Sequence, residues 1–188
     1  SEQTHWTVEG RYGRDLVPSL RAELHASFQH DRFDTQRNDF RGGIAKSGLD
    51  VTWTGWRRHS LLLAASYSDG TIDEATSQPP TLPPPQPPPP VLVLRGVPRR
   101  VLGLVLQDRV DLSDRIAVTA GVRYDRYSDL RDRLTPRLAA VFRVSDRFNV
   151  KLQYAEGFRA PTFFEEYTEG TSTPRPEFEV NRTTELNA

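Results

Sequence analysis

His5, His25, His30 and His59 are the side chains best suited to hold a metal. His25 and His30 stand five apart, which puts them on opposite faces of an extended strand. A shared site is not expected, and no metal is assigned. Cys is absent, which removes disulfides, thiolate zinc and thiol chemistry. The 25 acidic residues form no paired constellation with a defined nucleophile, so no enzyme, no catalytic residue and no cofactor is expected. What remains is charge. The 25 basic residues are 23 Arg with Lys46 and Lys151, and the formal net charge is +0. A nucleic-acid partner is excluded, because it needs a basic surplus to displace counterions from phosphate. No single patch collects the arginines, which reads as a coding bias.

The elements that would position these charges are legible as a period of two. From Ser19 to Asp31, Leu20, Ala22, Leu24, Ala26 and Phe28 fall on one face. Arg21, Glu23, His25, Ser27 and Gln29 fall on the other. A strand segregates residues in this way and a helix scatters them. The pattern returns at Leu49–Thr54, Ser60–Ser68, Leu102–Leu112, Ile116–Asp125, Arg137–Val144 and Phe148–Ala155, with a weaker run at Thr4–Tyr12. About eight strands are predicted, and no helix-period segment of comparable quality. Asp108 interrupts one apolar face; an interfacial position or a local bulge would each accommodate it.

The connections alternate in length. Ser113-Asp114-Arg115 and Ser145-Asp146-Arg147 are near-identical tight turns, and Gly13–Pro18 and Arg57–His59 are short joints. Arg32–Ser47, Asp69–Arg100, Arg126–Leu134 and the stretch from Glu156 onward read as long links. Short turns at one end and long loops at the other describe an up-and-down antiparallel meander, the asymmetry of outer-membrane barrels. Residues 78–90 form a Pro-rich insert: nine of the 15 prolines lie between Pro79 and Pro90. Such a stretch favours polyproline II and cannot join a ladder. It reads as a solvated loop, with docking to a proline-binding module as the alternative.

No apolar run approaches the roughly 20 residues of a membrane-spanning helix, and no signal peptide opens the chain. Met is absent even at position 1, which reads as a processed or truncated piece. Several strands nevertheless match the roughly 9–11 tilted residues that cross hydrocarbon. Trp6, Trp53, Trp56, Tyr67, Tyr124, Tyr127 and Tyr154 gather toward strand ends, as interfacial rings do. An all-β transmembrane barrel segment is expected, inserted in outer-membrane lipid.

From Arg100 onward the chain resembles the barrel of TonB-dependent outer-membrane receptors. The resemblance rests on Gly103–Asp108, Leu112–Arg115, Ala120–Asp125, Thr135–Leu138 and above all Tyr154-Ala-Glu-Gly157-Phe158-Arg159-Ala160-Pro161-Thr162-Phe163 with Glu166-Tyr167. Pro174–Glu177 and Glu185–Asn187 resemble the following loop and the start of the next strand. Residues 1–99 share only the pattern. The family implies a 22-stranded barrel plugged by an N-terminal domain. This chain therefore reads as an internal fragment, residues 1–188, without plug or C-terminal strands.

The implied function is energised uptake of a scarce solute, such as an iron–siderophore, cobalamin or an oligosaccharide, across the bacterial outer membrane. The TonB complex would act through the missing plug. Arg21, Glu23, His25, Arg123, Arg137, Arg143 and Lys151 would line the lumen. Gly157, Phe158, Arg159, Ala160 and Pro161 would end a strand and turn the chain into a loop, with a ligand contact by Arg159 as the alternative. Loops Asp31–Lys46, Asp69–Arg100, Arg126–Arg133 and Gly157–Thr184 would bind solute. Asn181-Arg182-Thr183 fits a glycosylation sequon, but the bacterial setting argues against its use. Two other readings stand beside this one: a complete eight-stranded outer-membrane barrel with a structural or adhesive role, and a soluble β-sandwich binding module.

Overall fold

Alternating sequence builds strands because every second side chain leaves the same face of the pleat. The computed structural model describes residues 2–34, 38–77, 92–161 and 179–187. Nine strands lie in these residues: β1 (Glu2–Val17), β2 (Leu20–Asp34), β3 (Asn38–Trp53), β4 (His59–Ser77), β5 (Leu92–Ser113), β6 (Ile116–Tyr127), β7 (Arg133–Ser145), β8 (Phe148–Arg159) and β9 (Glu179–Asn187). They form one antiparallel sheet in chain order, β1 to β9, with β1 and β9 as open edges.

Three expectations need correction. The count is nine, because Glu185–Asn187 belongs to a strand that already starts at Glu179. The links predicted at Arg32–Ser47 and Asp69–Arg100 are largely strand: β2 and β3 pair out to Asp34 and Asp39, and β4 and β5 out to Ser77 and Leu92. β5 reaches 22 residues, about 70 Å at a rise near 3.3 Å, far beyond the ~30 Å of a hydrocarbon core. The Gly13–Pro18 joint also shrinks, to Pro18-Ser19. The Pro-rich insert and Thr162–Phe163, Glu166-Tyr167 and Pro174–Glu177 lie outside the described residues.

The register aligns the two faces across strands. On the apolar face Leu24, Leu49, Ala65, Leu104, Tyr124 and Leu134 stand in one cross-strand row from β2 to β7. On the polar face Arg21, Thr52, Leu62, Gln107, Gly121, Arg137, Ala155 and Thr183 do the same from β2 to β9. A slip of one residue in any pairing would mix the faces, so the hydrophobic pattern fixes the register.

A single layer has no interior. Among the described residues only Ile72 and Ala75 are buried hydrophobics, packed with Phe40 and Val97 near the outer ends of β3–β5. The leucines of the apolar face stay open: Leu63 is 55% exposed, Leu106 48%, Leu138 51% and Leu152 44%. A contiguous apolar surface of this extent has to be covered by something outside the sheet. The second layer that a soluble sandwich requires is missing from the described residues.

The short turns share one device. Ser113 Oγ accepts the Arg115 amide at 3.2 Å, and Ser145 Oγ accepts the Arg147 amide at 3.3 Å. The side-chain hydroxyl thereby closes each turn, and one sequence, Ser-Asp-Arg, produces the same geometry twice.

Candidate functional site

The polar face carries the ionisable groups. Arg21, Glu23 and His25 on β2, Arg123 on β6, Arg137 and Arg143 on β7 and Lys151 on β8 all project from it, as their register positions require. The structure does not gather them into one cluster. Arg21, Glu23 and His25 on β2 sit four or more strands along the sheet from the other four on β6, β7 and β8.

The β2 residues belong to an ion-pair ladder with β1. Arg11 Nε lies 3.3 Å from Glu23, and Arg21 lies 3.2 Å from Asp15 and 3.8 Å from Glu23. His25 lies across Gly48, its register partner, where a Cβ would collide with the imidazole. Beyond it, His5 Nδ1 meets Asp31 at 2.5 Å, and Gln29 donates to the same carboxylate at 2.8 Å. His30 leaves the opposite face, its ring 5.9 Å from Trp6. His25 and His30 therefore leave opposite faces, as their spacing of five predicts.

Arg123 is locked to Asp125. Its Nε donates at 2.7 Å and 3.0 Å and its Nη2 at 2.7 Å, while the Asp125 side chain is almost completely enclosed. A buried carboxylate requires such a charge-assisted partner. Gly103 makes room for it: a Cβ there would lie 2.6 Å from Ser66 Oγ and 3.1 Å from Asp125 Oδ1. Gly103→Val is expected to lower unfolding stability by roughly 1–3 kcal/mol through overpacking, read as a lower urea midpoint, whereas Gly10→Val on the open face should change little.

Arg137, Arg143 and Lys151 differ from this group. Among the described residues none of the three has an ion-pair partner. The polar face therefore offers neutralised charge on β1–β2 and uncompensated positive charge on β7–β8.

The segment Gly157–Pro161 ends β8 and is tied down at three points. Arg159 makes a two-pronged pair with Glu179 on β9, at 3.0 Å for each contact. Phe158 meets Tyr127 edge-on at 6.3 Å. The carbonyl of Pro161 accepts Arg99 Nη1 at 2.6 Å, and the same guanidinium donates through Nε to Asp129 at 2.6 Å. Arg99 and Asp129 are 12% and 10% exposed. Tyr127 thus projects from the polar face, not from the apolar rim with Trp6, Trp53, Tyr67, Tyr124 and Tyr154. The Arg99–Asp129–Pro161 node has no sequence signal, because its members lie 30 and 62 positions apart.

On the apolar face Asp108 keeps its register with Leu61 and Ala120, so no bulge turns it away. His59 meets it at 2.7 Å and is itself stacked on Trp56 at 4.4 Å. The carboxylate sits beside the short turn into β4, where an acidic residue costs least.

An amphipathic antiparallel sheet of over-long strands in chain order, with short turns at one end, is the wall of an outer-membrane β-barrel. More narrowly, the chain belongs to the family described as TonB dependent receptor-like, beta-barrel, whose sequence profile matches residues 1–187. Members of this family are outer-membrane transport proteins and not enzymes. No curated protein sequence matches the chain. The siderophore receptor PirA from Pseudomonas aeruginosa superposes with a TM-score of 0.68 at 17% identity, over 97% of this chain and 35% of that one. PirA from Acinetobacter baumannii gives 0.63 at 12%, over 97% and 32%. The G324V mutant of the ferric enterobactin receptor PfeA from Pseudomonas aeruginosa gives 0.59 at 15%, over 87% and 27%. These likenesses are of fold. The chain spans about a third of the length of the receptors it superposes on.

Proposed function

We propose that the chain forms part of the wall of a TonB-dependent receptor that takes up a scarce, negatively charged solute, of which a ferric siderophore is the best fit. The observation that carries this reading is the register of the polar face, where, among the described residues, Arg137, Arg143 and Lys151 have no counter-ion while β1 and β2 carry an ion-paired ladder. The apolar face meets outer-membrane lipid and the polar face meets the lumen. Arg21, Glu23 and Arg123 line that lumen as a fixed, internally neutralised surface, with His25 beside them across Gly48. The three unpaired cations raise the local concentration of an anionic chelate. The segment from Gly157 to Pro161 sets where β8 gives way to its loop. In the whole receptor a plug domain fills the lumen and couples to the TonB complex. Cobalamin and oligosaccharides are the competing solutes; neither explains an excess of unpaired cations.

Tryptophan fluorescence of outer membranes carrying the intact receptor tests this. A ferric siderophore should quench saturably, cobalamin and oligosaccharide should not, and Arg137→Ala with Lys151→Ala should weaken binding about tenfold at low salt, less at high salt. Saturable binding of an uncharged solute, unaffected by these changes, would overturn the reading. The small self-contained barrel requires β1 to pair with β9, and these strands are the two open edges.

A further inference from the structure

The apolar rows of β2 and β3 end in a pair of like charges. Leu24, Phe28 and His30 of β2 stand directly opposite Leu49, Ala45 and Gly43 of β3, and the next pair outward on the same face is Arg32 opposite Arg41. No bulge intervenes between these strands, so both arginines leave the apolar face, at its long-loop end. Both are exposed, and among the described residues neither has an ion-pair partner. Glu74, opposite Arg41 on β4, is taken by Arg95 at 2.9 Å. The acidic pair Asp34–Asp39 lies one step farther out and binds neither guanidinium. Like charges set directly opposite each other destabilise an antiparallel pair, a local cost that an anion would offset. Phe28 and Ala45 close the apolar rows, and the Trp6 ring, 5.3 Å from Phe28 and 5.9 Å from His30, marks the aromatic rim. Arg32 and Arg41 lie four residues past that last apolar pair, about 9 Å along the membrane normal for strands tilted near 45°. An arginine side chain reaches back from there into the headgroup layer, which is about 5–8 Å deep. Inward of Arg41 the wall is recessed, because Gly43 carries no side chain. A Cβ there would meet the Gln29 carbonyl at 3.3 Å, the Phe28 ring at 3.6 Å and His30 Nδ1 at 3.8 Å.

We propose that Arg32 and Arg41 bind the exposed phosphate of an outer-leaflet lipid, whose headgroup sits in the recess at Gly43 and whose acyl chains lie on the leucines below. Two guanidiniums on adjacent strands present two planar forks to one phosphate. Place selects a lipid over a free anion: the pair stands at the edge of the apolar band, where headgroups are concentrated, and on the face turned away from the lumen. Layering selects a lipid over a protein. Leu24 and Leu49, then Trp6 and His30, then the two arginines follow one another along a single face, in the order hydrocarbon, interface, phosphate of a leaflet. This inference rests on the apolar face being the lipid side and is independent of which solute is carried.

Trp6 stands beside the site and reports on it. The intact receptor is placed in phosphatidylcholine vesicles that contain a minor fraction of lipid brominated on its acyl chains, either phosphatidic acid or phosphatidylcholine. The part of the fluorescence quenching that Trp6→Phe removes should show a preference of about tenfold for phosphatidic acid, smaller at high salt. Arg32→Gln with Arg41→Gln should abolish that preference, and Arg32→Lys with Arg41→Lys should keep part of it, since lysine retains the charge and loses the fork. Equal quenching by the two lipids in the parent protein overturns the proposal without recourse to any arginine variant. A preference that survives the glutamine pair overturns the assignment to Arg32 and Arg41. Loss of the preference in millimolar inorganic phosphate also overturns it, in favour of a free-anion site. The lipid side itself is tested separately by Val118→Arg; an insertion penalty there without a lipid preference at Trp6 removes this site alone.

Discussion

Val118→Arg is expected to lower the stability of the membrane-inserted state by about 2 kcal/mol, while Thr119→Arg inserts normally. Arginine on the lipid side of a barrel costs roughly 2–4 kcal/mol at the bilayer midplane and falls toward zero at the interfaces. Val118 pairs with Val110 on β5 and Ala140 on β7, within an apolar run on β6 from Ile116 to Tyr124. It lies one residue pair from the middle of that run, hence the lower end of the range. Thr119 pairs with Arg109 and Ala139 on the other face, where a guanidinium stays in water. Urea titration of the receptor folded into bilayers measures both. Equal costs would mean that the two faces do not meet different solvents, and the outer-membrane assignment of the apolar face would fail with it.

His59→Ala is expected to destabilise the inserted protein by about 1 kcal/mol, the lower end of the cost of leaving a polar group unsatisfied, because Asp108 lies beside the short turn and is only partly buried. Asp108 projects among Leu61, Leu106 and Val110, and its Oδ1 has no hydrogen-bond partner even with His59 in place. Removing the imidazole takes away the remaining bond at 2.7 Å. Asp108→Leu should be neutral or stabilising, because it removes the group that needs a partner. The double change His59→Ala with Asp108→Leu should recover most of the loss from His59→Ala. The same urea titration, run as a double-mutant cycle, reports this coupling. Additive costs would show that the pair is incidental and that Trp56 and the turn alone stabilise this end of the sheet.

The two-residue period from Leu20 to Phe28, and its recurrence through Phe148–Ala155, determined the strands, their faces and the membrane reading. It did so because lipid on one side and water on the other imposes alternation residue by residue. The Ser-Asp-Arg turns and the stretch Tyr154–Phe163 carried the topology and the family in the same local way. Past Asp31, and between Asp69 and Arg100, the alternation lapses, and loops were expected. The structure continues these strands by many residues. The physical reason is that backbone ladders need no amphipathic pattern, and where both faces are wet the sequence is free to lose it. The next strand, expected to start at Glu185, begins at Glu179 for the same reason, with Arg182 set opposite Glu156.

The placement of Arg21, Glu23, His25, Arg123, Arg137, Arg143 and Lys151 on one face was legible from parity alone. Which of them are neutralised was not. Asp108 finds His59 across 49 positions of chain, Arg99 finds Pro161 across 62, and Arg32 meets Arg41 only because β2 and β3 pair. Local sequence fixes which way a side chain points; charge pairing depends on which residues the register sets opposite each other, and that is decided only when the sheet assembles.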